Sequence, residues 1–255
     1  MVATSLTLTA LVGLPRVKPG DDLGTLLSAA LRQTGVAPRD QDVIVVAQKV
    51  ISKAEGRLVD LKTVAPSDRA VEIANEVNKD ARLVELILSE STEIIRKKRD
   101  VLIVAHRLGF IMANAGVDQS NVAGEGGEQA LLLPRDPDGS AAALKARLDR
   151  EFGVNVGVVI NDSFGRAWRL GVVGVALGAA GIPVLRNMVG VPDLFGRKMR
   201  VTEVAVADEI AAAASLLMGQ GAEGQPAIHM RGFDWADTPA PASALLRPKN
   251  QDLFR

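Results

Sequence analysis

Cysteine and tyrosine are both absent from the 255 residues. Without cysteine there can be no disulfide, no thiolate metal site and no cysteine nucleophile. Histidine occurs twice, as His106 and His229, so a multi-histidine zinc centre is not expected either. Six Phe and two Trp offer little on which single-stranded nucleic acid could stack. An excess charge is missing too: 30 Lys and Arg balance 30 Asp and Glu, leaving no overall field to draw nucleic acid or an anionic membrane. A local anion site does not register in such a sum. The longest apolar stretch, residues 171–185, is shorter than the roughly 20 residues that span a bilayer, and it is glycine-rich and holds Pro183. The opening MVATSLTLTALVGLP lacks a basic lead-in and reads as a strand and loop rather than a signal peptide. The expectation is a cytoplasmic protein with no nucleic-acid or membrane partner.

What is present is an apolar content of 47%, enough for one large core or two smaller lobes. The pattern over 6–12 predicts a first strand. Acids after Pro19 and Gly20 predict the start of a helix over 23–34. Residues 42–47 form a short apolar segment with polar bounds, the pattern of a buried strand, and basic residues follow directly in QKVISKAEGR. Helices are predicted over 66–75, 81–95, 141–152 and 201–219, the last capped by Thr202. Strands are predicted over 101–105 and 154–160, with a short apolar run at 110–113. GEGGEQ and PRDPDGS read as loops by their glycine and proline content. Residues 172–181 fit a strand or a tightly packed helix equally well. With no repeat and no clear linker, a single intertwined α+β body is as well supported as two lobes.

The apolar run 154–160 leads straight into DSFGRAW. An acid and a hydroxyl at a strand end, Asp162 and Ser163, are suitable ligands for a hard divalent cation. Asp118 lies in a second loop, NAGVDQSN. Each alone is ordinary turn chemistry; the two together suggest a site. Lys53, Arg57, Arg166, Arg169, Arg197 and Lys198 stand among small residues rather than in solvated charge runs, and such cations can grip phosphate or carboxylate. The patterns GxxxxGK[ST], GxGxxG and GxSxG are all absent. His106 and His229 read as structural. The residues taken by themselves make a modest case for an enzyme handling phosphate with a divalent metal.

Six blocks in order carry a more specific likeness: GLPRVKPGDDL, ISKAEGR, NAGVDQSN, VVINDSFGRAWRLG, FGRKMRVTEVAVADE and MGQGAEGQP. Together they resemble the coenzyme F420-0:L-glutamate ligase family from about residue 10 to about residue 232. The resemblance implies an unusual α+β fold in an intertwined homodimer. The implied activity is GTP-dependent: L-glutamate is added to the lactyl phosphodiester end of F420-0, and in many members a γ-linked tail is then extended. It implies Mg²⁺ or Mn²⁺, with K⁺ in support. Carried over by motif, Asp118 and Asp162 are ligands of a first ion, and Ser163 and Gln220 of a second. Ser163 stands where threonine is often found. Nucleotide contacts are implied at Gly13, Leu14, Pro15 and Arg16, at Lys53 and at Asn121. The segment Met218, Gly219, Gln220, Gly221, Ala222, Glu223, Gly224 and Gln225 is implied for the same role. Gln48 and Lys49 stand where members often have Ser-Thr; Lys49 would replace hydroxyl donors with charge.

The implied chemistry is activation of the acceptor carboxylate by phosphoryl transfer, followed by attack of the glutamate amine. Asp118, Asp162 and Arg166 are expected at the catalytic centre, with Arg166 facing phosphate or the anionic acceptor. Phe164 and Trp168 are expected to anchor the turn, and Gly124 to Gly127 to close over the intermediate. Some members carry a C-terminal nitroreductase-like domain that binds flavin. The sequence stops at Arg255, so a single ligase-like domain is expected, leaving room for a separate flavin-binding partner. Two alternatives are a related amide ligase acting on a variant F420 precursor and a non-catalytic scaffold for F420 assembly. Metal-dependent GTP turnover with acceptor and glutamate separates the scaffold from the enzymes.

Overall fold

A computed structural model describes residues 4–121 and 128–253. In chain order the strands and helices are β1 (Thr7–Ala10), α1 (Leu23–Gln33), β2 (Val43–Ala47), α2 (Gln48–Ala54), β3 (Leu58–Asp60), α3 (Asp68–Val77) and α4 (Ala81–Ser89). Then come β4 (Ser91–Lys98), β5 (Val101–His106), β6 (Ile111–Ala113), β7 (Gln129–Leu131), α5 (Pro137–Phe152), β8 (Gly157–Arg166) and β9 (Arg169–Ala180). The chain ends with β10 (Arg186–Asn187), β11 (Glu203–Val204), α6 (Val206–Met218) and β12 (Ala227–Arg231). The class is α+β, as expected.

The main sheet has the order β1-β12-β2-β8-β9, and only its β2–β8 pair is parallel. Both faces are covered. Leu27 and Leu31 of α1, Ile51 of α2 and Leu144 and Leu148 of α5 pack with Ile44, Val46, Val158 and Ile160 on one face. On the other, Ile210, Ala211 and Ala214 of α6 pack with Val43, Val45 and Val159. This two-sided burial explains why β2 reads as an unbroken apolar run rather than an alternation. Val43, Ile44, Val45 and Val46 are fully buried, each burial contributing about 1.5–3 kcal/mol. A separate core is formed by α3, α4, β5 and the residues around Val117 and Ala130. The β4-β5-β6 sheet belongs to this lobe, and the β3–β7 pair connects it to the rest.

Of residues 172–181, open between two readings in the sequence, 172–180 are strand. Glycine permits close approach there: a Cβ at Gly174 would strike the Ala211 carbonyl of α6, and one at Gly178 the Pro137 carbonyl of α5. At the sheet edge, two backbone N–H groups of β9 are taken by side chains. Ala176 donates to Asp208 (2.9 Å) and Ala179 to Asp138 (2.9 Å), which covers an edge that would otherwise invite pairing.

Five expectations are corrected. The helix predicted over 81–95 stops at Ser89, because the Glu90 side chain turns inward to Arg57, Arg107 and His106 and the chain reverses into β4. The helix predicted from 201 begins at Val206, since Glu203 and Val204 pair with Asn187 and Arg186; Thr202 is not its cap. PRDPDGS is not all loop: Asp136 caps α5 by accepting from Gly139 N, with Pro137 in the first turn, where its missing N–H costs nothing. Finally, β8 does not end before the acid and hydroxyl but runs through Arg166 and turns tightly into β9. Phe164 does pack inward, edge-to-face with Phe110 at 5.9 Å. Trp168 does not anchor the turn; it is 87% exposed at the hairpin tip.

Candidate functional site

The C-terminal ends of the parallel neighbours β2 and β8 lie side by side, with Ala47 opposite Asn161. In parallel sheets ligands gather at the C-terminal strand ends, and this one parallel pair offers the same arrangement. Here the ends open onto a cavity of about 470 Å³, a size suited to a substantial ligand. Four segments contribute to its walls: Leu14, Pro15 and Arg16 after β1; Gln48, Lys49 and Lys53 on α2; Asp162 and Ser163 on β8; and the loop after α6. From that loop come Met218, Gly219, Gln220, Gly221, Ala222, Gly224 and Gln225. Asn121 completes the wall, and its Nδ2 donates to the Gly221 carbonyl at 3.1 Å.

The cavity is rich in positive charge. Lys49 and Lys53 lie one helical turn apart on α2 and so share a face. Burial pushes the Lys53 ammonium below its ordinary pKa, and the charges of Lys49 and Arg16 push it further. Three cations that destabilise one another in a concave space are arranged to receive an anion. Lys53 donates to the Asn121 carbonyl at 2.9 Å, and Lys49 pairs with Asp118 at 2.7 Å.

Asp118 is fixed by a two-way backbone bridge to Leu131, and its carboxylate accepts from Ser120 N (2.6 Å) and Ser120 Oγ (3.0 Å). Burial would raise its pKa, but the hydrogen bonds from Lys49 and Ser120 outweigh this and hold it low. Asp162 behaves in the opposite way. Burial pushes its carboxyl up to about 6; the Asp118 charge adds to the rise, and the Ser163 backbone N–H and Lys49 only partly offset it. Asp162, poorly solvated and facing a second carboxylate, is only partly balanced by Lys49, a condition that a further cation relieves. Among the described residues no three His, Cys, Asp or Glu side chains cluster to hold a metal. Asp118, Asp162, the Ser163 hydroxyl and the Gln220 amide all offer oxygen donors, the ligand chemistry that a hard divalent cation takes.

Other expected residues lie beside the cavity or away from it. Gly13 stands next to its wall with φ +82°. Glu223 folds back onto its own loop, accepting from Gly221 N at 2.8 Å. Arg166 is exposed at the hairpin tip and is not among the lining residues. Gly124 to Gly127 lie outside the described residues. Arg57 is a buried structural cation paired with Glu90 at 2.9 Å. Both histidines are buried in carboxylate contacts, His106 with Glu90 and His229 with Asp42.

Asn161 was not singled out from the sequence, although it lines the cavity. Its Nδ2 donates to Ser215 Oγ (2.9 Å) and reaches Met218 Sδ (3.2 Å), tying β8 to the last turn of α6. Its buried Oδ1 has no hydrogen-bond partner. An amide directly after the apolar run 156–160 was the available signal.

A family model described as F420-0:Gamma-glutamyl ligase matches residues 12–232. The chain is 45% identical to the coenzyme F420:L-glutamate ligase of Methanothermobacter thermautotrophicus, over 98% of this chain and 99% of that protein. It is 44% identical to the ligase of the same description from Methanopyrus kandleri, over 94% of each chain. The corresponding protein of Archaeoglobus fulgidus is also 44% identical, over 95% of this chain and 94% of its own. No described helix is long and apolar enough to cross a membrane.

Proposed function

The chain belongs to the F420-0:gamma-glutamyl ligase family and is a glutamate-adding ligase for F420-0-like acceptors; from that premise we propose that GTP is its phosphoryl donor and that the cavity at the β2 and β8 ends is where transfer occurs. The observation that carries this reading is the meeting of Arg16, Lys49 and Lys53 with Asp162, Ser163 and Gln220 around one cavity.

The acceptor carboxylate cannot be aminated directly, because its leaving group would be an oxide. Its oxygen attacks the γ-phosphorus of GTP and the bond to GDP breaks, giving an acyl phosphate. The glutamate amine then attacks the acyl carbon, phosphate leaves, and the amine gives up its proton as the amide forms. Catalysis of such a transfer is chiefly positioning and charge neutralisation. Lys49, Lys53 and Arg16 hold the phosphates. The 218–225 loop and Asn121 hold the rest of the nucleotide, with Gly13 to Arg16 along the opposite wall. Asp118 and Asp162 would hold one divalent cation and Ser163 and Gln220 a second, Mg²⁺ or Mn²⁺, with K⁺ in support. When bound, these ions neutralise phosphate charge. Arg166 meets the anionic acceptor outside the cavity.

We read the chain as one ligase domain with two lobes, working as an intertwined homodimer. Support for the dimer comes from apolar side chains left in water: Leu170 and Leu194 are each 99% exposed and Phe195 95%. Large exposed apolar groups of this kind mark association surfaces. The activity is tested by incubating the protein with GTP, Mg²⁺ or Mn²⁺, glutamate and F420-0 and resolving products by mass. The expected product is the acceptor plus one glutamate residue, with GDP and phosphate formed in equal amounts. Product formation with ATP but not GTP would overturn the choice of nucleotide, and no product with any acceptor would overturn the assignment.

A further inference from the structure

Along β8, Val159 packs in the core beneath α6 and Ile160 in the core on the opposite face. Alternation then returns Asn161 to the α6 side, where it is 5% exposed. Its amide can be oriented only one way. Ser215 Oγ gives its single proton to the Ala211 carbonyl at 3.0 Å, and the Met218 thioether has no proton to give. Both groups can therefore only accept, so their contacts at 2.9 and 3.2 Å require Nδ2. Oδ1 is left facing elsewhere as an acceptor. Of the described buried side-chain atoms without a hydrogen-bond partner, it alone belongs to a residue lining the cavity at the β2 and β8 ends. Gln48, another amide of that wall, already has its Oε1 taken by Ser52 Oγ at 2.9 Å. A buried acceptor without a donor is destabilising, and a ligand that donates to it relieves this.

We propose that Asn161 Oδ1 accepts an N–H of the incoming amino-acid amine and aims the nitrogen lone pair at the activated acyl carbon. The inference rests on the ligase reading and deepens it by assigning a residue to the second substrate. Position favours an amine as the occupant: Asn161 adjoins Asp162 and lies opposite Ala47 at the parallel strand ends, beside the place where that reading puts phosphoryl transfer. The side of approach agrees. Lys49 and Lys53 reach the cavity from α2, whereas Asn161 faces α6, so nucleophile and departing phosphate are held from different sides. Charge is the third argument. A carboxylate here would hold the amine as its ammonium, whose lone pair is occupied by a proton. A neutral amide oxygen orients the N–H without adding negative charge, and the free amine stays able to attack. Its nitrogen then bonds to the acyl carbon, the bond from that carbon to the phosphate oxygen breaks, and the released phosphate takes the amine proton.

The test uses Asn161→Leu, close in shape and without polar atoms, with Asn161→Ala as a second variant should the first fail to fold. Ser215→Ala is the control, since it removes an Nδ2 contact and keeps Oδ1. Each protein is assayed with glutamate and, separately, with concentrated hydroxylamine, which intercepts an acyl phosphate unguided and gives a hydroxamate; melting temperature and GTP Kd are measured alongside. The expected result for Asn161→Leu is a fall of about tenfold or more in kcat/KM for glutamate, the effect of one lost hydrogen bond. Hydroxamate formation and GTP Kd should change by less than about twofold, and Ser215→Ala should behave as wild type. Glutarate, which keeps both carboxylates and lacks the amine, should bind wild type about tenfold or more weakly than glutamate does, a preference that Asn161→Leu abolishes. Unchanged kcat/KM for glutamate in a folded variant overturns the proposal. So does an equal fall in hydroxamate formation, a raised GTP Kd, or a loss rescued by added Mg²⁺ or K⁺, because each moves Asn161 to the phosphoryl-transfer machinery. The same loss in Ser215→Ala would make Asn161 an anchor for α6 and overturns it too, as does equal wild-type affinity for glutamate and glutarate. If wild-type protein forms neither hydroxamate nor amide, the ligase reading itself fails; if it forms both and Asn161→Leu is unaffected, the amine contact alone is refuted.

Discussion

Replacing Glu90 with Gln tests whether the smaller lobe is fastened by charge. Glu90 is 8% exposed and lies between Arg57 (2.9 Å), Arg107 (3.0 Å) and His106 (3.4 Å). Burial alone would raise its pKa. The adjacent His106 ring, the Arg57 hydrogen bond, and the charges of Arg57 and Arg107 prevail and bring it down from 4.5 to about 2. Because the folded value is depressed, the linked stability is present above the unfolded pKa and is lost as pH falls from about 4.5 through about 2. A shift of this size corresponds to about 3 kcal/mol at neutral pH. An independent route gives a similar figure, since removing one partner of a buried ion pair costs about 3–5 kcal/mol. At about 2–4 °C per kcal/mol for a chain of this length, Glu90→Gln should melt roughly 6–12 °C lower at pH 7. The assay is thermal unfolding from pH 7 down to pH 2. The gap between wild type and variant should narrow steadily below about pH 4.5. A loss under about 1 kcal/mol at pH 7, or a gap that does not depend on pH, would refute the reasoning.

The remaining predictions concern the site and the assembly. Asp162→Asn should lower turnover by roughly two to three orders of magnitude without lowering the melting temperature, because the substitution removes a charge that burial already disfavours; near-normal turnover would count against its assigned role. Lys53→Met should weaken GTP binding by about tenfold or more, the order of one lost charge-assisted hydrogen bond, and should flatten the salt dependence of binding; titration calorimetry at two ionic strengths reads both. Phe195→Glu should shift the protein from dimer to monomer in light scattering, and an unshifted mass would remove that residue from the proposed interface.

Part of the main sheet was legible in the sequence, because β2 and the first half of β8 are short apolar runs bounded by polar residues, whereas β12 was not predicted and β9 was left open. The pattern of β2 and β8 follows from burial on both faces. Helix ends were less legible where a single side chain decides them. Nothing in residues 81–95 signals that Glu90 will turn inward, since its partners Arg57, His106 and Arg107 come from distant or later positions. The glycines of β9 looked ambiguous for a related reason: the helices that need them small lie elsewhere in the chain. Most cavity residues were legible only through ordered motif blocks, because pattern alone cannot bring residues 16, 53, 162 and 220 together. α2 could have been found locally. Val50, Ile51 and Ala54 pack inward while Lys49 and Lys53 recur at helical spacing on another face.

The continuation of β8 through the acid and hydroxyl has a consequence for the chemistry. Neighbouring residues on a strand point to opposite faces. Asn161 faces α6, since its amide reaches Ser215 and Met218; Asp162 must therefore face the α2 side, where Lys49 and Asp118 lie, and Ser163 must return to the α6 side. In the proposed metal assignment the four donors thus divide into two pairs: Asp118 with Asp162 on one face, and Ser163 with Gln220, just beyond α6, on the other. A loop holding the same residues would allow many pairings. The ladder allows one, and it is fixed by Val43 to Val46 lying against Gly157 to Ile160 in the core. A register slip of one residue would exchange the two pairs and also move Val159 and Ile160 to the wrong cores. The hydrophobic cost of that exchange protects the arrangement of the polar donors, so the core residues of β2 and β8 specify the site as directly as the side chains that line it.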